Sequence, residues 1–63
     1  MTVDLNKDYS VTVTLVSGGP PFVVRGVVFE RKTRKAVAEV SGEGRVLSAA
    51  QTRAVNQARA QFG

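Results

Sequence analysis

The sequence predicts a small α+β domain, a three-stranded antiparallel meander followed by one C-terminal helix packed across one face, in the order β-β-β-α. Three observations carry this reading. Residues 9 to 16, YSVTVTLV, alternate apolar and polar side chains with the period of two that a half-buried strand requires. Two further β-rich stretches, FVVRGVVFE and KAVAEV, follow between turn-forming residues. From residue 49 onward the pattern changes to an alanine-rich helical spacing.

Residues 1 to 8 fit either a short edge strand built on Val3 and Leu5 and ended by NKD, or a flexible arm carrying Lys7. In the first predicted strand of the meander Val11, Val13 and Leu15 share the inner face, and Ser10, Thr12 and Thr14 the outer. SGGPP ends it, because Gly18 and Gly19 tolerate positive φ while Pro20 and Pro21 offer no backbone donor. The second strand runs from Phe22 to about Arg31, but Phe22 and Val24 have the opposite parity to Val27 and Phe29. A bulge at Gly26 restores the phase, turning Phe22, Val24, Val27 and Phe29 inward and Arg25, Val28 and Glu30 outward. The alternative is a strand apolar on both faces with a second subunit covering one of them.

The third strand sets Ala36, Ala38 and Val40 against Val37 and Glu39, and SGEG, residues 41 to 44, reads as a loop. Ser48 followed by Gln51 forms a capping box, which starts a helix over residues 49 to 62. Ala54, Val55, Ala58 and Phe62 make its inner stripe, with Arg53, Asn56, Gln57 and Ala60 opposite.

All 63 residues read as a single small basic domain. A chain of this size buries only about 60% of its unfolded surface, so its core is marginal. Without cysteine or histidine there is no disulfide and no Cys- or His-based metal site, and the usual general base and strongest nucleophile are missing. The five carboxylates Asp4, Asp8, Glu30, Glu39 and Glu43 fall on different elements, so the expectation is a non-enzyme with no cofactor and no metal. SGEGR lacks the phased glycines of a nucleotide-binding loop. No basic segment leads into an apolar run and no stretch reaches a membrane span, so a cytoplasmic protein is expected.

The net charge of +4 and the pI near 10.4 direct attention to acidic partners, nucleic acid first. ERKTRK, residues 30 to 35, places Arg31, Lys32, Arg34 and Lys35 at a predicted hairpin tip. Arg45 precedes the helix N-terminus, where unpaired backbone N–H groups favour phosphate, and Arg25 is expected on the face away from the helix. With Phe22, Phe29 and Phe62 assigned to the core, only Tyr9 is left for base stacking, which favours backbone contact.

The expected function is a non-enzymatic module that contacts nucleic-acid phosphates through the basic hairpin. The alternative is a protein-binding inhibitor or adaptor of bacterial or phage type. It would act as a dimer or on another protein, through an edge strand or an apolar sheet face of Val16, Val23, Val28 and Val37. From residue 19, GPPFVVRGVVFERKTRKAVAEVSGEGR and the helix after it resemble the later part of double-stranded-RNA-binding domains. The chain has no room for that family's first helix, and Val46, Leu47 and Ser48 stand where its lysine pair is expected, so no residue role is transferred.

Overall fold

The strand expected over residues 9 to 16 forms, in a sheet of four strands rather than three. The computed structural model describes residues 1–63. Strands β1 (Thr2–Asp4), β2 (Tyr9–Ser17), β3 (Phe22–Glu30) and β4 (Ala36–Gly44) follow one another as an antiparallel meander in the order β1-β2-β3-β4. Helix α1 (Leu47–Phe62) lies across one face, mainly over β4 and β3. No helix is long and apolar enough to cross a membrane.

Of the two options for the N-terminal residues, the edge strand is the one observed, with Val3 opposite Val11. It is short because Asn6 folds the chain back, its Oδ1 accepting the backbone N–H groups of Asp8 at 2.8 Å and Tyr9 at 2.9 Å. The core joins Val11, Val13, Val24, Val28 and Val40 of the sheet to Ala50, Ala54, Val55 and Ala58 of the helix. Val3, Leu5, Tyr9, Phe22, Ala38 and Phe62 are half-buried around it.

Strand β3 has no bulge at Gly26, so half of its inward residues differ from expectation. Its alternation runs unbroken, with Phe22, Val24, Gly26 and Val28 on the helix side. Gly26 holds an inward position because a Cβ there would come within 2.8 Å of Val40 Cγ2 and 2.9 Å of Val11 Cγ2, whose methyl groups fill the space instead. Val28 is therefore fully buried and belongs to no interface, whereas Val27 and Phe29 lie on the face away from the helix. The register shifts occur elsewhere, at Val16 between Leu15 and Ser17 and at Val37 opposite the Val28–Phe29 step.

SGEG is likewise no loop: β4 continues through Gly44. Gly42 and Gly44 face α1, and the helix backbone at Ala50 and Ala54 sits directly on them. A glycine inside a strand marks such a close approach.

The helix starts at Leu47, two residues before the predicted position, and its N-cap Val46 makes no side-chain cap bond, so the Ser48–Gln51 capping box is not formed. Ser48 already lies inside the first turn, which the Ala50 N–H to Val46 carbonyl bond closes at 3.2 Å. Leu15, assigned to the core, is 49% exposed because α1 leaves the far end of β2 uncovered.

The helix crosses the sheet from the C-terminal end of β4 to the start of β2. There the rings of Phe62 and Tyr9 meet at 4.9 Å, and Asn6 Nδ2 donates to the Phe62 carbonyl at 2.6 Å. One end of the molecule thus gathers the β1–β2 turn, the β3–β4 turn and the end of the helix. The other end holds the β2–β3 turn and the helix start.

Candidate nucleic-acid interface

The β3–β4 turn, Arg31–Lys35, is the exposed basic turn the sequence predicts. Its backbone is closed by the Arg34 N–H to Glu30 carbonyl bond at 2.7 Å and the Glu30 N–H to Lys35 carbonyl bond at 2.9 Å. Thr33 braces it, donating from Oγ1 to Glu30 Oε1 at 3.1 Å and accepting the Lys35 N–H at 3.4 Å. Arg34 closes the turn with φ 61°, a left-handed conformation that costs a non-glycine residue about 1–2 kcal/mol. Arg34→Gly is therefore expected to stabilise the protein by about 0.5–1 kcal/mol, the relieved strain less the backbone entropy of glycine. Urea melts check this, and an unchanged or lower midpoint contradicts the turn geometry.

Arg31 acts differently from its neighbours. Its backbone N–H donates to the Asp8 carbonyl at 2.9 Å, its Nη1 to the Asn6 carbonyl at 3.3 Å, and its Nη2 lies 3.8 Å from Asp4 Oδ2. It fastens the basic turn to the β1–β2 turn and so brings Lys7 beside it. Lys7, Asp8, Tyr9, Glu30, Arg31 and Lys32 line a groove of about 600 Å³ between the two turns.

Five cations, Lys7, Arg31, Lys32, Arg34 and Lys35, share this end with three carboxylates, Asp4, Asp8 and Glu30. Arg31 is engaged with Asp4, while the side chains of Lys7, Lys32, Arg34 and Lys35 form no ion pair and no hydrogen bond. Charges left without a partner in the fold are available to a ligand, and clustering raises the local potential.

The remaining predicted cations lie elsewhere. Arg45 stands at the opposite end with Pro21, Glu43 and Arg53, and the nine residues of β3 separate the two ends by about 26 Å. It cannot share a phosphate with the basic turn, because the helix begins where β4 finishes and not beside the turn where β4 starts. Arg25 does occupy the face away from the helix, but its Nε lies 3.6 Å from Glu39 Oε1. Arg53, placed on the outer side of the helix by its spacing, reaches the sheet edge and donates to the Glu43 carbonyl at 2.6 Å.

Of the predicted apolar face, Val16 and Val37 are exposed, Val23 is half-buried and Val28 is lost to the core. Tyr9, the aromatic expected to be free, is held against Phe62. The sequence reading missed Lys7, which only the docking of the two turns brings in, and Phe29, whose outward position follows from the unbroken alternation of β3. No group of three carboxylates converges anywhere in the fold. No family model matches the chain, and no curated protein or solved structure matches it.

Proposed function

We propose that the protein is a non-enzymatic nucleic-acid-binding module that contacts phosphates through the basic end of its sheet. One observation carries this reading: Lys7, Lys32, Arg34 and Lys35, from two turns distant in sequence, meet at one end with no partner for their charge. Arg31 holds the two turns together, and Arg25 and Arg45 lie outside the surface. A hydrogen-bonded turn presenting unpaired cations suits phosphate contact, since no ion pair within the fold has to be broken before binding.

Titration of labelled duplex and single-stranded DNA and RNA at about 50 and 200 mM salt tests the proposal. Four phosphate contacts on a duplex predict a loss of affinity of about 100-fold between the two salts. Absence of binding to every probe at the lower salt overturns the reading.

A second reading, a protein partner that adds a strand to the sheet, is favoured by the outer edge of β4. Its C-terminal half is covered by helix side chains, Gln57 Oε1 accepting the Ser41 N–H at 3.0 Å and Arg53 engaging the Glu43 carbonyl. The half from Ala36 to Val40 has no such cover and offers free backbone groups beside exposed Val37. Charge decides between the two readings, because strand addition depends little on salt.

A further inference from the structure

We infer that the ligand of this surface is single-stranded nucleic acid, with one base stacked on the ring of Phe29; this rests on the phosphate-contact reading of the adjoining turn. The register of β3 puts Phe29 on the sheet face that carries no helix. Its cross-strand neighbours are Ser10 and Ala36, whose short side chains leave part of the phenyl ring uncovered. The ring is only half-buried, in a depression of about 440 Å³ lined also by Thr2, Asp4, Ser10, Arg31 and Arg34.

A half-buried aromatic ring on the helix-free face, beside a guanidinium without a partner, offers the two contacts a single strand needs, an apolar surface for a base and a cation for the adjacent phosphate. A duplex keeps its base faces stacked on one another and has none to present to Phe29. The one carboxylate in the depression does not oppose the ligand strongly. Asp4 accepts the Ser10 hydroxyl at 2.7 Å and faces Arg31 at 3.8 Å, so its charge is largely answered within the fold. Half-buried Val27 lies next to Phe29 on this face, and Arg25 ends the apolar surface beyond it.

The test compares a labelled oligothymidylate with a labelled duplex of equal length, using the full chain and its Phe29→Leu and Phe29→Trp variants. Phe29→Leu is expected to weaken single-strand binding about tenfold or more, with duplex binding and the salt dependence unchanged. Phe29→Trp is expected to bind the single strand and to lose fluorescence as it does so. If Phe29→Leu fails to fold, as circular dichroism will report, the tryptophan signal decides alone. Equal single-strand affinity of folded Phe29→Leu, or tryptophan emission unmoved at saturation, overturns the inference. A wild-type protein that binds the duplex and not the single strand overturns stacking while leaving phosphate contact standing. One that binds neither overturns both.

Discussion

Gly42→Ala is expected to destabilise the protein severely. A Cβ at this position would lie 2.6 Å from the backbone nitrogen of Ala54 and closer still to the carbonyl oxygen of Ala50. Both are helix backbone atoms, which cannot rotate aside as a flexible side chain would. To admit one methyl group, α1 must lift from β4 and β3 and open the layer in which Ala50 and Ala54 are fully buried. Forced overpacking costs about 1–3 kcal/mol and sometimes more, whereas about 0.05–0.15 kcal/mol per residue gives this chain only about 3–9 kcal/mol in all. Gly18→Ala is the control. Its nearest neighbour would be Leu15 Cδ2 at 3.9 Å, so its effect is expected to stay within about 0.5 kcal/mol. Thermal melts followed by circular dichroism separate the two, and a Gly42→Ala protein that melts like wild type contradicts the close seating of the helix.

The same glycines explain what the sequence left illegible. In β2 the alternation was readable because valine and threonine each declare a face, and Val11 and Val13 lie where that pattern puts them. Gly42 and Gly44 carry no side chain and look like turn residues. Only the helix, arriving from later in the chain, makes them strand residues under close packing. Gly26 hid the parity of β3 in the same way, since either phase is consistent with a residue that has no side chain. That single ambiguity moved Val28 from the outer face to the core and Phe29 from the helix side to the opposite face, where its ring is half-buried.

The candidate site was legible in part. A run of four cations between two β-rich stretches identified the turn, and its exposure followed from its position. That Arg31 is a brace and not a free cation, that Lys7 joins the cluster, and that Arg45 belongs to the opposite end all depend on which turns the meander brings together. Spacing along the chain does not carry that information.

The second large effect concerns this cluster. Replacing Lys7, Lys32, Arg34 and Lys35 together by Ala is expected to lower nucleic-acid affinity at least about 100-fold at about 50 mM salt, since each phosphate contact contributes through counterion release. The fold should survive. None of the four side chains has a partner in the structure, and surface substitutions of that kind change stability by about 0.5 kcal/mol or less. Arg31 is left in place because its removal would detach the β1–β2 turn and confuse lost structure with lost contact. The control, Arg45→Ala, removes a cation at the opposite end of the sheet and is expected to leave affinity nearly unchanged.

The most direct test of phosphate contact at the basic end is the slope of log affinity against log salt for wild type and the fourfold alanine variant, measured on one duplex in one buffer. Four contacts predict a wild-type slope of about −3.6 and a variant slope near zero. Equal slopes, with affinity intact in the variant, would contradict the account and move the phosphates away from Lys7, Lys32, Arg34 and Lys35.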